Sequence, residues 1–173
     1  MRLVKPSMAH EAMLKSYVEE MINNKDTCHG CGSIEDYPHY SDWLDHIASY
    51  AVKTLIPKDS KYVEGSQYIL LDEENQRVIG MVNIRHELND YLLKFGGHIG
   101  YSIRPLERNK GYAKLQLQLA LDVLRSKGVE KALITCNQDN PASRKTILAC
   151  GGIEDSPSIE ADGTVILRYW IYL

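Results

Sequence analysis

The chain has 173 residues, 44% of them apolar and 25% charged, with a formal net charge of −3 and a pI near 6.1. This is the composition of one soluble globular domain with a sizeable core. It lacks the broad basic footprint of a nucleic-acid binder, its apolar runs fall far short of a membrane span, and Met1-Arg2-Leu3-Val4-Lys5-Pro6 holds no apolar signal core, so a cytoplasmic protein is expected.

Residues 2–5 suit a short first strand. Ser7 is a good N-cap, and Met13, Leu14, Tyr17, Val18 and Met21 then repeat at helical spacing. A polar loop over 23–38 follows, broken by Gly30, Gly32 and Pro38. A second helix starts near Ser41, with Trp43, Leu44, Ile47 and Ala51 as its apolar stripe. Residues 66–72 and 77–85 read as two strands of a hairpin around a polar turn. A mixed connection over 85–97 leads to a strand at 98–103, which ends before Pro105. A helix is expected from Gly111 to about Lys127, with Gly128 at its C-terminus. Residues 131–136 form the next strand. Asn140-Pro141 opens a short helix that Gly151-Gly152 ends, and 164–173 closes the chain as a strand rich in β-branched and aromatic residues. The order predicts an α/β or α+β domain with a mixed sheet and helices on both faces. The crossover from 98–103 to 131–136 is expected to be parallel and right-handed.

The four cysteines are Cys28, Cys31, Cys136 and Cys150. Cys28-His29-Gly30-Cys31 could be half of a zinc site with His29 or His39, but no second ligand pair stands at similar spacing. As a redox pair it should follow a strand and open a helix, and it does neither. It reads as a polar loop containing two thiols, and no metal is expected.

The stretch 107–121, Glu-Arg-Asn-Lys-Gly-Tyr-Ala-Lys-Leu-Gln-Leu-Gln-Leu-Ala-Leu, alternates like a strand yet also stripes like a helix. The helix reading prevails, because Leu, Gln, Ala and Lys are good helix formers and no β-branched residue appears before Val123. A helix start leaves backbone N–H groups unpaired and adds a positive partial charge. Gly111 removes the Cβ that would block close approach, Ala113 keeps the next inner position small, and Arg108 and Lys110 add full charges. Two readings stay open on this local chemistry: a phosphate or pyrophosphate site, or a helix start behind a solvated basic loop.

Arg108-Asn109-Lys110-Gly111-Tyr112-Ala113 resembles the pyrophosphate loop Arg/Gln-x-x-Gly-x-Gly/Ala of the GNAT family of acetyl-CoA-dependent N-acetyltransferases. The strand and proline before it, Ile103-Arg104-Pro105, are similar too. So is the later segment from Cys136 through Asn140 to Gly152, with its strand end, Asn, short helix and Gly. The resemblance covers residues 65–173 well and the two N-terminal helices by layout, and the wider texture is similar to a bacterial subgroup of predicted acetyltransferases. It implies one acetyltransferase domain over 1–173, with a mixed, mostly antiparallel central sheet of about six or seven strands. It also implies that acetyl-CoA is the co-substrate. The backbone N–H groups of Asn109, Lys110, Gly111, Tyr112 and Ala113 would hold its pyrophosphate, flanked by Arg108. The main chain at Ile103 would meet the acetyl carbonyl or the pantetheine arm, and Asn140 and Ser143 the pantetheine or nucleotide end. Asn140 also suits a plain helix N-cap.

Acetyl transfer to an amine needs a neutral nucleophile and a hydrogen-bond donor for the thioester oxygen. His98 stands where related sequences often carry a Glu and is one candidate base; a hydrogen-bonded strand histidine without a role is the alternative. Glu87 is the second candidate, with a solvated carboxylate near Arg85 as its bland reading. His86 and Asp90 are candidates for shaping the acceptor pocket. Many family members carry a Tyr that protonates the leaving thiolate. Counted back from Gly151, that position is Ile147 here, so Tyr101, Tyr112 or solvent would have to act. The expected partner is a small-molecule amine or peptide amine, with Glu87 and Asp90 mildly favouring a cationic one; neither nucleic acid nor membrane is expected. Family members often dimerise, so a homodimer is compatible. Two other readings are a non-catalytic acyl-CoA-binding sensor of the same fold and, less well supported, a nucleotide-phosphate enzyme, since no Gly-Lys-Ser/Thr loop is present.

Overall fold

The computed structural model describes residues 1–58, 60 and 62–173. Strands β1 (Arg2–Val4), β2 (Gly65–Asp72), β3 (Arg77–Arg85) and β4 (Ile99–Ile103) form one sheet in that order, antiparallel throughout. Strands β5 (Lys131–Asn137), β6 (Ile153–Ile159) and β7 (Val165–Tyr172) form a second antiparallel sheet in the order β5-β7-β6. The α+β class and the strand number match the expectation. The single mixed sheet does not: the crossover from β4 to β5 links two sheets rather than neighbours in one.

The sheets touch at His98. Its C=O accepts from the Arg85 N–H at 2.8 Å, while its own N–H donates to the Leu133 C=O at 2.7 Å. Beyond that point β4 and β5 are not ladder partners.

Among the described residues, four α-helices cover the sheets. On one side, α1 (Glu11–Asn23) buries Leu14, Tyr17 and Met21, and α2 (Tyr40–Ser49) buries Tyr40, Trp43 and Ile47. These pack with Ile69, Leu71 and Met81. On the other, α3 (Tyr112–Ser126) turns Leu117, Ala120, Leu121 and Leu124 onto Val82, Ile84 and Ile99, joined by Ile147 of α4 (Pro141–Ala149). A fully buried leucine such as Leu117 or Leu124 contributes roughly 2–3 kcal/mol. The period-two alternation of β3 divides its residues between these cores. Val82 and Ile84 face α3, whereas Asn83 and Arg85 share the face of Met81, opposite the N-terminal segment.

Strand β6 is absent from the sequence reading. Its charges and Pro157 disguise it, but it is an edge strand, where a missing N–H is tolerated, and its register shifts between Asp155 and Ser158. Asp155 anchors it by accepting from Trp170 Nε1 at 3.0 Å and pairing with Arg168 at 3.1 Å. Among the described residues, no helix is long and apolar enough to cross a membrane.

Candidate functional site

Helix α3 begins at Gly111, which takes φ +84°, a left-handed conformation that costs other residues about 1 kcal/mol or more. Asn109 is also left-handed, at φ +62°. The two reversals turn the loop so that no acceptor among the described residues meets the N–H groups of residues 109–114; the first bond into the helix is Leu115 N–H to Gly111 C=O at 3.1 Å. A Cβ built on Gly111 would meet nothing within 4 Å, so the mouth is open. It faces a cleft of about 790 Å³.

The charges there differ from the expected ones. Arg108 is pinned, its Nε donating to the Ile103 C=O at 3.1 Å and its Nη2 to Asp26 at 2.8 Å. Lys110 pairs with Glu107 at 2.9 Å, and Glu107 also holds Arg77. The cations lining the cleft without an ion pair among the described residues are Lys25, Lys114 and Lys145.

Strand β4 forms one wall. The bonds Arg85 N–H to His98 C=O and Arg104 N–H to Ile79 C=O set the alternation that directs Gly100 and Ser102 at β3. Tyr101 and Ile103 therefore turn their backbone groups toward the gap where β5 diverges. Since Arg108 occupies the Ile103 C=O, its N–H is the group left there. The Tyr101 hydroxyl crosses to Ser143 Oγ on α4 at 3.1 Å, and burial pushes its pKa up to about 12. Asn140 caps α4, its Oδ1 accepting from the Ser143 N–H at 3.0 Å, and both residues also line the cleft. Ile147 is fully buried in the core, and Ser143 and Thr146 are the hydroxyl residues of α4 that line the cleft.

A second cleft of about 350 Å³ lies on the side of Asn83, Arg85 and Tyr50. The loop Cys28–Gly32 borders both clefts, and His29 lines each of them. Four carbonyls nail this loop down. Ser102 Oγ donates to His29 C=O at 2.6 Å, Gln67 Nε2 to Gly30 C=O at 2.7 Å, and Trp43 Nε1 to the carbonyls of Cys31 and Gly32 at 3.1 and 3.0 Å. Tyr17 in turn donates to Ser102 Oγ at 2.9 Å. Gly30 lies so close to β4 that a Cβ on it would stand 2.1 Å from the Gly100 carbonyl oxygen. Cys28 and Cys31 are free and buried; burial pushes the Cys31 thiol up, and its hydrogen bond to Cys28 holds that thiol down. Among the described residues, no three His, Cys, Asp or Glu side chains are grouped to hold a metal ion.

The candidate bases His98 and Glu87 line neither cleft. His98 is 6% exposed, its Nδ1 accepts from the Leu133 N–H at 2.9 Å, and burial pulls its pKa down to about 4. It pins the sheets together. Glu87 pairs with Lys53 on the surface. His86 bonds Ser66 at 3.0 Å, and Asp90 also lies outside the smaller cleft, whose charged residues are Glu35 and Arg85. His29 is the titratable side chain common to both clefts that the sequence reading did not single out as a base.

A family model described as an acetyltransferase (GNAT) domain matches residues 31–153. Comparison with curated proteins gives no match. Among solved structures, a mutant of the spermidine N-acetyltransferase SpeG from Vibrio cholerae is 16% identical, with 99% of this chain and 95% of that one covered and a TM-score of 0.66. A ribosomal-protein-S5-alanine acetyltransferase from Vibrio fischeri is 11% identical, with 98% and 91% covered and a TM-score of 0.68. RimL, a ribosomal L7/L12 alpha-N-protein acetyltransferase solved in complex with coenzyme A, is 13% identical, with 99% and 93% covered and a TM-score of 0.69. At these identities the likeness is one of fold. The family match covers most of the chain and agrees with the strand, loop and helix just described, and the protein therefore belongs to the GNAT acetyltransferases.

Proposed function

We propose that the chain transfers the acetyl group of acetyl-CoA to a small primary amine or a peptide amine, by direct attack in a complex holding both. The observation that carries this reading is the run of unpaired amides at residues 109–114, opening into a cleft that meets a second cleft at His29.

The residues fit the coenzyme. Consecutive N–H groups at a helix start suit a diphosphate, and Lys25, Lys114 and Lys145 supply positive charge for it without breaking an internal pair. Acetyl-CoA brings the acetyl group activated as a thioester. The backbone N–H groups of Tyr101 and Ile103, turned into the gap between the sheets, are donors for charge growing on the thioester oxygen. His29 takes the proton that the acceptor ammonium must lose. The amine nitrogen bonds to the acetyl carbon, the carbon–sulfur bond breaks, and the sulfur leaves as thiolate. Tyr101 stabilises that thiolate as a hydrogen-bond donor, not as an acid: with its pKa near 12, giving up the proton to a thiol of about 8.5 runs uphill. Solvent supplies the final proton.

The test is thiol release from acetyl-CoA across a panel of amines and peptides, beside thermal melts with and without coenzyme A. At a hundred times its dissociation constant, coenzyme should stabilise the protein by about 2.7 kcal/mol. Gly111→Glu should lose both that stabilisation and turnover. Coenzyme stabilisation that survives Gly111→Glu, or no amine-dependent thiol release with any acceptor, overturns the reading.

A further inference from the structure

The smaller cleft holds a charge that acetyl transfer does not require. Arg85 ends β3 on the face it shares with Asn83, and its guanidinium lines this cleft. Its Nη1 donates to two carbonyls, Gly96 at 2.9 Å and Gly97 at 3.1 Å, both on the turn before β4. Carbonyls orient the group without neutralising it. Among the described residues no carboxylate pairs with Arg85, and Nε and Nη2 find no acceptor. The nearest acidic side chain in sequence, Glu87, is spent on Lys53. Burial works against this charge and lowers the pKa below the ordinary arginine value, yet a guanidinium stays protonated. A shielded cation with no counter-ion is held at a free-energy cost that an anionic ligand removes.

Gly100 locates the group relative to the rest of the site. The Cβ position of Gly100 lies 3.5 Å from Arg85 Nη2 and 3.6 Å from the Gly30 backbone. The guanidinium and the His29–Gly30 loop thus flank one point on β4. A ligand anion seated on Arg85 leaves the atoms next to it beside the loop that carries His29.

We propose that the acetyl acceptor is an amine that also carries a carboxylate, an amino-acid-type molecule, and that Arg85 holds the carboxylate while the amine turns toward His29. This rests on the acetyl-transfer reading and narrows it. Amine and carboxylate on one carbon suit a guanidinium and a loop that flank the same residue of β4. A cleft of about 350 Å³ accepts a single amino acid, and the stacked rings of Tyr50 and Tyr62, 5.5 Å apart, offer its side chain an apolar wall. A guanidinium forms a forked pair with a carboxylate, which fixes orientation as well as charge. A polyamine has no anion to offer and would set a second ammonium against Arg85, so polyamines are disfavoured. An unmodified peptide N-terminus carries no carboxylate beside its amine and is disfavoured too.

The experiment compares matched acceptors that differ by the carboxylate alone: tyrosine with tyramine and leucine with isopentylamine, with spermidine as the polyamine. Thiol release gives kcat/KM for each with the wild type, Arg85→Met and Arg85→Lys. The expected result is a preference of tenfold or more for each amino acid over its decarboxylated partner. Arg85→Met should reduce that preference to near one while leaving KM for acetyl-CoA within twofold, and Arg85→Lys should restore part of it. Because Arg85 also holds the turn before β4, a second measurement needs no variant: titration of N-acetyltyrosine and N-acetyltyramine into the wild type with coenzyme A present, where only the first should bind appreciably. Equal turnover of the two members of each pair overturns the carboxylate proposal and leaves acetyl transfer standing. No turnover of any amine overturns acetyl transfer, and the titration then decides the Arg85 site alone: equal binding, or none, overturns it.

Discussion

His98 and Leu133 bond to one another twice: the His98 N–H donates to the Leu133 C=O at 2.7 Å, and the Leu133 N–H donates back to His98 Nδ1 at 2.9 Å. The ring completes a strand-like pair where the two sheets join. His98→Ala removes the acceptor and leaves a buried N–H, so it should destabilise the protein by about 1–3 kcal/mol, read by denaturant unfolding at pH 8. The pH dependence follows from the depressed pKa. The folded form holds its proton only below about pH 4, and the unfolded form near 6.5, so the unfolded chain binds more protons in between. The contribution is therefore complete above pH 6.5 and is lost as pH falls toward 4, by roughly 3 kcal/mol over that window. Unfolding measured from pH 8 to 4 should show this slope in the wild type and a shallower one in His98→Ala. Identical slopes would mean the ring is not held neutral by the junction.

His29 is carried on a loop fixed by backbone carbonyls, which its side chain does not help to hold. His29→Asn should therefore keep the wild-type melting temperature and lower kcat by about 10² or more, the usual scale of a lost general base. KM for acetyl-CoA should change little. Wild-type kcat across the neutral range would remove His29 from the reaction.

Gly30→Ala tests the wall between the clefts. The new Cβ would stand 2.1 Å from the Gly100 oxygen, on a backbone already at φ +74°. Loop and strand must part, at a cost of about 1–3 kcal/mol. Both the melting temperature and the affinity for the acceptor should fall, with the second seen as a raised KM. An unaltered melting temperature would show the loop to be free to move.

The cations around the helix mouth should divide into two kinds. Lys145→Ala leaves every ion pair intact, so it should weaken coenzyme A several-fold, more at low salt than at high, with no change in the unliganded melt. Arg108→Ala frees Asp26 and the Ile103 carbonyl, so it should lower the unliganded melt itself. Calorimetric titration and thermal melts of both variants separate the two.

The helix start at Gly111 was legible because its signals are local: helix formers, a single glycine and a preceding proline at fixed offsets. Paired charges were not, because the partners are remote in sequence. Asp26 holds Arg108 across 82 positions, and the hydrogen bonds of His98 give it a structural place that its one-letter context does not reveal. In the sequence His29 stands out only as a possible zinc ligand beside Cys28 and Cys31. Its position against β4 depends on Gln67, Ser102 and Trp43, which no spacing rule connects. Strand β6 was lost because an edge tolerates residues that a propensity reading assigns to loops.

The abutment of Gly30 on Gly100 also constrains how such a sequence can change over time. A methyl group on Gly30 would drive into the Gly100 carbonyl, backbone that no side-chain adjustment moves aside, whereas a methyl group on Gly100 would meet Arg85 and Gly30 at ordinary contact distance. Position 30 is thus held to glycine by a strand seventy residues further along the chain, while position 100 is free of that demand, and the boundary between the two clefts depends on the first far more than on the second.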